Sequence, residues 1–330
     1  MLIDEFEMLA PMKYYDNTSP ASDNLKQKRL NIINNKDNAY VATKKNDGDW
    51  AMLIHYSADN NLIRSRSISK VTGKYGDYTA KLPHIVSEMN KLPDNTVLLA
   101  EICWDEIGTD ANTVGTILRC LPPKAVERQK DKKLKAVIFD VLMLNDDDLT
   151  KKPYFQRLQI LQQFQFPYLY PTEIYETDFA EIADKIISEG GEGIVIQKKD
   201  NEYQSGCRTA WATLKMKQSL PHMDLQVISS IEPNKLYEGD CSESWQYCIE
   251  GTPVTKPYYM GWKNGVIVDY NGVAVSVTSG LTDADREWLA SDEAQEMIKS
   301  GSLYAEVKAM SENSQKSLRH PVLIRLRNDI

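Results

Sequence analysis

A lysine in a turn is the first candidate for chemistry in this chain. Lys45 begins the tetrapeptide Lys45-Asn46-Asp47-Gly48, which follows a short apolar run and is expected at an exposed sheet edge. A lysine is a nucleophile only after its ammonium group has lost a proton, and nearby cations or burial favour that loss. Alone, the tetrapeptide is a weak signal, because polar turns that contain a glycine are common in proteins.

Two further lysines and two glutamates have side chains that suit phosphate chemistry. Lys215 and Lys217 alternate along a strand-like segment, and Glu101 and Glu192 lie at the ends of apolar runs. Transfer of a phosphoryl or nucleotidyl group needs charge stabilisation more than covalent chemistry, so lysines and a carboxylate-bound metal would serve it. Taken singly, a solvated strand face and ordinary rim carboxylates are the better interpretations.

The elements around these residues predict an α+β domain built on central strands. Strands are predicted from apolar runs at Ala39–Ala42, Trp50–Tyr56, Leu62–Arg66, Thr96–Ile102, Ala136–Leu144 and Gly193–Gln197. Helices are predicted from apolar positions at helical spacing, at Leu82–Leu92, Tyr154–Phe164 and Phe179–Ser188.

A second domain is expected where Ser219-Leu220-Pro221 breaks the pattern, so that the domains are residues 1–219 and 220–330 and this break is the hinge between them. The predicted elements are a hairpin of Gly265–Asp269 and Val273–Thr278 with an Asn271-Gly272 turn, one helix over Thr282–Ser300 with a Thr282/Asp285 cap, and strands Tyr304–Met310 and Val322–Leu326. Such a segment suits a small closed barrel such as an OB-fold, with a sandwich as the alternative.

Composition limits the class of protein. Hydrophobic residues make up 42% of the 330 residues and charged residues 26%, which is typical of a globular protein. A net charge of −8 argues against a protein that coats nucleic acid without selectivity, so any nucleic-acid surface must be local. No apolar run is long enough to cross a bilayer, and the acidic start does not resemble a signal peptide, so we expect a cytoplasmic protein without membrane contact.

The order and spacing of several motifs resemble those of the ATP-dependent DNA ligases, particularly the compact viral and phage enzymes. The resemblance runs from about Ala42 to the C-terminus. The matching segments are Lys45–Gly48, Ser65-Arg66, Leu98–Ile102, Phe139–Leu142, Glu192–Ile196, Leu214–Lys217 and Ser317–Pro321 through Arg327. It implies an α+β nucleotidyltransferase domain of ATP-grasp-like type, a C-terminal OB-fold barrel, and nick sealing through a lysyl-AMP intermediate.

The resemblance also implies roles for single residues. Lys45 matches the lysine that attacks the α-phosphate of ATP, and Lys215 and Lys217 match the pair that faces this phosphate. Glu192 would support a divalent cation, and Glu101 would contact the ribose and help to hold the metal. The nucleotide-binding residues are further implied to include Thr43, Lys44, Arg66, Phe139, which stacks on adenine, Arg208, and Arg319 and Arg327, which engage the pyrophosphate.

The implied cofactors are ATP and Mg²⁺, with Mn²⁺ as an alternative metal, and the implied partner of a monomeric enzyme is nicked duplex DNA. One position departs from the family pattern, because Trp50 stands where an arginine is usual two residues after the glycine of the first motif. Either Arg66 or Lys44 compensates, or the substrate preference has shifted, or Trp50 is a core residue.

Other functions are open at this point. An RNA ligase or an mRNA-capping guanylyltransferase shares the lysine chemistry, and a non-catalytic OB-fold protein would bind nucleic acid without it. The basic stretch Lys124–Lys135 is either a solvated loop or a phosphate-contacting loop. Leu236–Tyr258 is long for a hairpin connection and is expected to be a clamp around duplex DNA, with disorder as the alternative.

Overall fold

A computed structural model describes residues 2–17, 22–69, 73–104, 111–208, 212–217, 220–239, 245–312 and 316–329. The chain separates into two compact units, residues 1–217 and 218–330, and each unit has a hydrophobic core of its own. Ser219 of the expected hinge lies outside the described residues. Among the described residues, no helix is both long and apolar enough to cross a membrane.

The first unit combines seven helices and twelve strands among its described residues. The helices are α1 (Ile3–Phe6), α2 (Asp23–Asn34), α3 (Pro83–Met89), α4 (Ala111–Leu118), α5 (Pro122–Glu127), α6 (Tyr154–Leu161) and α7 (Phe179–Ser188). The strands are β1 (Tyr15–Asp16), β2 (Tyr40–Lys45), β3 (Asp49–Ser57), β4 (Asn60–Ile68), β5 (Tyr75–Asp77), β6 (Thr96–Cys103), β7 (Lys135–Leu144), β8 (Asp147–Asp148), β9 (Leu169–Pro171), β10 (Ile174–Tyr175), β11 (Gly193–Lys198) and β12 (Thr213–Lys217). The predicted strands and helices of this unit are confirmed, with shifted ends; α1, α2, α4, α5, β1, β5, β8, β9 and β10 were not predicted.

The smaller sheet of this unit has the strand order β1-β12-β11-β2-β10. Side chains alternate between the two faces of a strand. Ala42, Ile194, Ile196 and Leu214 therefore point to one face, where they pack with residues of α2 and α7. The opposite face carries Thr43 and Lys45 of β2 and Thr213, Lys215 and Lys217 of β12, and is called the polar face below.

The larger sheet has the order β5-β4-β3-β6-β7-β8, with β9 beside β7. One face forms the main core with α3 to α6, and side chains such as Leu53, Leu98 and Ile138 are fully buried there. Each buried side chain of this size stabilises the fold by about 1.5–3 kcal/mol. The other face packs Met52 and Leu99 against Phe6 and neighbouring N-terminal residues, which places the start of the chain against the large sheet.

The second unit is dominated by strands. Its elements are β13 (Met223–Ile231), β14 (Cys248–Ile249), β15 (Thr252–Pro253), α8 (Lys256–Met260), β16 (Gly265–Tyr270), β17 (Val273–Val277), α9 (Asp283–Trp288), α10 (Asp292–Ser300), β18 (Tyr304–Lys308), β19 (Ser311–Glu312), β20 (Leu318–Arg319) and β21 (Val322–Arg327). The predicted Asn271-Gly272 turn is confirmed, and both residues have the positive φ, 52° and 82°, that such a hairpin turn requires.

The five main strands of this unit form a closed barrel. Their order is β17-β16-β13-β18-β21, and a parallel bridge between Ser279 and Val322 joins the two ends of this path. The amide of Leu323 donates to the carbonyl of Ser279 at 2.9 Å. With helices α9 and α10 between the third and fourth barrel strands, this is the OB-fold topology. The predicted OB-fold is confirmed, and the sandwich alternative is wrong.

The predicted single helix over Thr282–Ser300 is wrong in one respect. The capping arrangement is present, since the Thr282 hydroxyl accepts from the amide of Asp285 at 3.1 Å. The helix, however, stops after Trp288 and starts again at Asp292, because Ser291 caps the second segment by accepting from the amide of Ala294. Apolar spacing continues across the break, so periodicity alone did not reveal it.

Candidate active site

A row of three residues crosses the polar face of the small sheet. Lys45 on β2 and Lys217 on β12 both pair with Gly193 on the strand between them. Because neighbouring strands lie about 4.8 Å apart, the Cα atoms of the two lysines are on the order of 10 Å apart. Gly193 contributes no side chain, so the two lysines flank a patch of bare backbone.

The backbone at the centre of this row requires glycine. Gly193 has a φ of +128°, and a Cβ built there would lie 2.0 Å from the carbonyl oxygen of Met216. An L side chain rarely adopts this conformation, and here it would also collide with main chain that cannot move aside. The gap between the two lysines is therefore built into the backbone.

Lys45 is held by a carboxylate. Its Nζ lies 2.5 Å from Oε2 of Glu192, and both side chains are largely buried, with 18% and 8% of their surface exposed. Charge-assisted hydrogen bonds of this kind are short and strong. This contact with Glu192 must open before Lys45 can act as a nucleophile.

Lys215 lies next to this pair. Burial, together with the positive charges of Lys45 and Arg66, lowers the pKa of Lys215 to about 8, although the charge of Glu192 opposes the shift. A lysine with such a pKa is partly neutral near neutral pH. The predicted residues Lys45, Arg66, Glu192 and Lys215 are thus brought within electrostatic reach of one another.

Glu101 faces this group from the large sheet. Burial raises the pKa of Glu101 to about 8; the charge of Lys45 opposes the shift, and the carboxylates of Glu192, Asp49 and Asp47 add to it. The two sheets therefore enclose a cleft, with Lys45 and Glu192 on one wall and Glu101 on the other. Repulsion between the carboxylates favours a proton on Glu101 at neutral pH.

The carboxylates of the cleft fit a bound magnesium ion. Among the described residues there is no cluster of three or more metal-ligating side chains. Mg²⁺ does not need one, because it binds through one or two carboxylates together with substrate phosphates and water. Glu101 and Glu192 provide two carboxylates; burial is the main cause of the raised pKa of Glu101, and a divalent cation would offset the charge of Glu192 that adds to it.

Phe139 lies on the cleft side of the large sheet, where it packs against the same apolar cluster as Tyr14 and Trp50. Its carbonyl accepts a hydrogen bond of 3.2 Å from the hydroxyl of Tyr154, which also bonds to Thr43. Thr43 is buried and lies two residues before Lys45 on β2, and so on the same face of that strand. The tyrosine thus ties the strand of Phe139 to the strand of Lys45.

A buried ion pair supports the strand at Phe139. Arg157 donates from Nε to Oδ1 of Asp140 at 2.7 Å and from Nη2 to Oδ2 at 3.0 Å. Both side chains are almost fully buried, and the third guanidinium nitrogen, Nη1, donates to the carbonyl of Asn201 at 3.2 Å. Bidentate contacts of this type fix geometry, so β7 is held firmly where it enters the cleft.

Lys44 and Arg208 lie apart from Lys45. Lys44 points to the opposite face of β2, where its Nζ is 3.5 Å from Oε1 of Glu173. Lys44 therefore does not replace the arginine that is missing at position 50. The guanidinium carbon of Arg208 lies 5.2 Å from the ring centre of Tyr15, which places Arg208 beside β1.

Trp50 is a packing residue of the cleft wall. It pairs in register with Glu101 and packs into the apolar cluster that contains Phe139. The guanidinium carbon of Arg64 lies 5.4 Å from the Trp50 ring and 4.1 Å from the Tyr75 ring. Arg64, which sequence reasoning missed, is buried and donates to the carbonyls of Leu9 and Ser65, so it anchors the N-terminal segment here.

The N-terminal segment also supplies two residues of the cleft that sequence reasoning missed. Nζ of Lys215 lies 5.1 Å from the centre of the Tyr14 ring, and Nζ of Lys217 lies 2.9 Å from Oδ2 of Asp16. Both residues precede the region of family resemblance, and a strand of two residues has no periodicity by which it can be detected.

Three lysines of the basic stretch lie over aromatic rings. The distances from Nζ to the ring centre are 4.9 Å for Lys132 over Trp104, 5.0 Å for Lys133 over Tyr168, and 5.6 Å for Lys135 over Tyr170. These contacts hold part of the stretch against the folded surface.

Arg327 and Arg319 belong to the second unit. Arg327 donates from Nη1 to Asp224 at 2.9 Å and from Nε to Asp329 at 3.0 Å, so two carboxylates hold it. Its hydrogen bonds to Asp329, the larger cause, and to Asp224 raise the pKa of Arg327 further above its ordinary value. Arg319 lies on the short strand β20, paired with Ser311, and is partly buried.

The connection between β13 and β16 contains a small aromatic cluster. The rings of Tyr237 and Trp245 stack at 3.8 Å, Trp245 meets Tyr247 edge-on at 5.4 Å, and Tyr247 lies 5.6 Å from Tyr259. Residues 240–244 of the expected clamp lie outside the described residues. The described part of this connection is thus held by ring contacts of its own.

A family model for the ATP dependent DNA ligase domain matches residues 24–217. The chain belongs to this family. The match covers all the cleft residues named above except Tyr14 and Asp16, and it confirms the resemblance seen in the sequence.

Curated relatives agree with the family. The DNA ligase of Saccharolobus shibatae is 26% identical over 181 residues, which are 52% of this chain and 29% of that protein. The DNA ligase of Saccharolobus solfataricus is 26% identical over 189 residues, which are 54% of this chain and 30% of that protein. The matched region is thus less than a third of either relative.

The fold also matches solved ligase structures over its whole length. A Lig E DNA ligase, solved in a study of DNA binding with a minimal scaffold, superposes with a TM-score of 0.62 at 16% identity. The match covers 97% of this chain and 98% of that one. The α+β nucleotidyltransferase fold with a C-terminal OB-fold is therefore confirmed.

Proposed function

We propose that this chain is an ATP-dependent DNA ligase that seals 3′-OH/5′-phosphate nicks in duplex DNA. The observation that carries the proposal is the row of Lys45, Gly193 and Lys217, with Glu192 bound to Lys45 and Glu101 opposite. A triphosphate laid over the glycine has a nucleophile at one end of the row and a cation at the other.

In the first step the Lys45 amine attacks the α-phosphorus of ATP. A P–N bond forms, the bond from the α-phosphorus to the bridging oxygen breaks, and pyrophosphate leaves with the electron pair of that bond. The proton that Lys45 loses passes to solvent, and the positive charges of Lys215 and Lys217 favour this loss. These two lysines also offset the negative charge that builds up on the α-phosphate.

The nucleoside is bound by the other wall of the cleft. Phe139 stacks on adenine, and Glu101 hydrogen-bonds the ribose hydroxyls. Without a bound cation, Glu101 has a pKa of about 8 and is largely protonated at neutral pH, so it donates as well as accepts hydrogen bonds there; a bound divalent cation would favour its carboxylate form. Thr43, fixed by Tyr154, lines the same end of the cleft, and Arg66 contributes a further cation toward the nucleotide phosphates.

Glu192 and Glu101 would hold Mg²⁺, or Mn²⁺ in its place. The ion supplies charge neutralisation at the phosphates when it is bound. Glu192, which holds Lys45 in the free protein, would also be a ligand of this ion.

Two further transfers complete sealing. The AMP moves from Lys45 to the 5′-phosphate of the nick, and the 3′-hydroxyl then attacks that phosphate, so that a phosphodiester forms and AMP leaves. Arg319 and Arg327 of the OB-fold engage the pyrophosphate during the first step. The domain break at Ser219–Pro221 allows the OB-fold to move away before duplex DNA enters.

We also propose an oligomeric state, a cellular location and two DNA-contacting segments for this enzyme. The protein acts as a monomer in the cytoplasm, on DNA during replication, repair or recombination. The connection with the aromatic cluster acts as a clamp around the duplex, and the basic stretch at 124–135 contacts phosphates. Nearly uniform loss of affinity across DNA sequences on neutralising Lys130 would be the expected sign of a phosphate contact.

The deciding experiment is incubation with α-labelled ATP and Mg²⁺, followed by denaturing electrophoresis. We expect a labelled adduct that disappears in Lys45→Ala and in Lys45→Arg, since a guanidinium stays protonated. Label from GTP instead would indicate a capping enzyme, and sealing of nicked RNA but not nicked DNA would indicate an RNA ligase. No adduct at all would favour the non-catalytic OB-fold protein.

The metal role has its own test. Glu192→Ala should slow formation of the adduct by about 100-fold or more in limiting Mg²⁺, because the site loses a carboxylate and Lys45 loses its partner. Nick sealing at the parental rate in limiting Mg²⁺ would remove Glu192 from the metal site.

A further inference from the structure

We propose that Asp16, on the N-terminal strand β1, is a positioning residue that fixes the Lys217 ammonium at its end of the row across the cleft. The inference rests on the proposed ligase chemistry. It extends the catalytic apparatus to a segment that lies outside the region matched by the family model, residues 24–217.

The sheet register places Asp16 on the correct face. Strand β1 runs parallel to β12, with Tyr15 opposite Leu214 and Asp16 opposite Lys215. Tyr15 and Leu214 pack on the helix-covered face, so Asp16 and Lys215 point to the polar face together with Lys217. Asp16 is thus the carboxylate that the edge strand adds beside the two lysines.

The segment that carries Asp16 is held by its backbone. The amide of Asn17 donates to the carbonyl of Lys215 at 3.0 Å, and the amide of Lys13 donates to the carbonyl of Cys207 at 3.0 Å. The hydroxyl of Tyr203 donates to the carbonyl of Ala10 at 2.9 Å. A carboxylate on so well-anchored a strand has a fixed place relative to β12.

Lys217 needs such a fixed point because its side chain is long and flexible. An ammonium on four methylenes has many rotamers, and it is drawn to any carboxylate within reach. The cleft contains Glu192, which already binds Lys45 at 2.5 Å. With Asp16 at 2.9 Å, Lys217 has a partner of its own, and the two lysines do not compete for one glutamate.

The ion pair between Asp16 and Lys217 affects the rate of the first chemical step, the formation of lysyl-AMP. Lys217 is directed to the α-phosphate from the side opposite to Lys45, so misplacing its ammonium weakens stabilisation of the transition state more than it weakens ATP binding. Displacements of about 1 Å in such groups can cost 100-fold in rate. Asp16 affects the rate through Lys217 and does not itself touch the nucleotide.

The test compares single-turnover formation of lysyl-AMP at saturating ATP in matched variants. Asp16→Asn should slow the step by about 10- to 100-fold, while the ATP concentration for half-maximal rate changes by less than about threefold. Asp16→Glu, which keeps the carboxylate, should recover most of the rate. Asp200→Asn removes a similar ion pair, that of Asp200 with Lys198 at 2.9 Å, and should react at the parental rate.

A double mutant separates positioning from a structural role. In the Lys217→Met background, Asp16→Asn should cause less than about a twofold further loss, since the group that it positions is gone. Melting temperatures should agree within about 2 °C, because partly exposed ion pairs contribute little to stability. Parental rates in Asp16→Asn, or full multiplicative losses in the double mutant, would overturn the inference.

Failure of the proposed function would look different. A parental protein that forms no adduct with ATP would refute the ligase proposal before any Asp16 variant is compared. A parental protein that forms the adduct, beside an Asp16→Asn variant that matches it, would refute only the role of Asp16.

Discussion

Glu101 and Lys215 titrate at the same pH from opposite walls of the cleft. Their ordinary pKa values are 4.5 and 10.5, and burial brings the pKa of both to about 8. In each case burial disfavours the charged form, which for Glu101 is the deprotonated state and for Lys215 the protonated state. The fold therefore opposes charge on both groups at neutral pH, and each can be tested through stability.

Glu101→Gln should stabilise the protein more as the pH rises. The folded-state pKa of Glu101 lies above its ordinary value of 4.5, so the folded state loses stability as the pH rises from that value through about 8. Glutamine does not titrate. We expect equal melting temperatures at pH 4.5 and an advantage of several degrees, roughly 4–8 °C, for the variant at pH 9. A constant difference across this range would show that Glu101 is ionised in the folded state.

Lys215→Met should gain stability at neutral pH and lose activity. The pKa of Lys215 is lowered from 10.5 to about 8, so folding is penalised below pH 8 and the penalty fades as the pH rises toward 10.5. The variant should melt several degrees higher at pH 7 and form lysyl-AMP about 100-fold more slowly. Lys152→Met, at an exposed position, is the control for a general effect of methionine. A less stable Lys215→Met protein would contradict the burial argument.

Arg319→Ala should separate the first step from the last. Orientation of the leaving pyrophosphate needs a cation, whereas closure of a nick that already carries AMP does not release pyrophosphate. The variant should therefore form little lysyl-AMP from ATP and still close a pre-adenylylated nick at near the parental rate. Arg325→Ala, which removes a 2.6 Å contact with Glu306 on the same unit, is the matched control. It should both form lysyl-AMP from ATP and close the pre-adenylylated nick. Equal losses in both assays would assign Arg319 to folding or DNA binding.

Asp140→Ala should be among the most destabilising substitutions in the first unit. It leaves the fully buried guanidinium of Arg157 without its carboxylate, at a cost of about 3–5 kcal/mol. Urea unfolding should show this loss, and the double variant Asp140→Leu with Arg157→Met should recover part of it. The exposed Asp200→Ala should cost less than about 1 kcal/mol. If the single and double variants unfold alike, the pair is not coupled as the structure indicates.

The strands around Lys45 could be predicted from sequence because they are long and apolar. Strand β3 and the central strand β6 each carry a continuous hydrophobic run, which burial on both faces explains. The barrel was predictable for another reason, since Asn271-Gly272 and the cap at Thr282 are local signals of turn and helix start.

The parts that escaped prediction depend on distant partners. Asp16 forms an ion pair with Lys217, which is about two hundred residues away in the sequence, and the local sequence of β1 does not indicate this pairing. The contacts of Arg64 are likewise formed only in the folded chain, which brings it to the carbonyl of Leu9 and to the rings of Trp50 and Tyr75. Strand alternation alone would have separated Lys44 from Lys45, because neighbours on a strand point to opposite faces.

Gly193, on the floor of the cleft, cannot be replaced by any larger residue without moving the backbone. Since the carbonyl of Met216 already occupies the place of a β-carbon, even alanine would act as a wedge and push β11 away from β12. Substitutions here should thus give an abrupt loss of the adduct, with no graded series from small to large side chains. The space between Lys45 and Lys217 therefore stays free for a bound ligand, because no side chain at position 193 can occupy it.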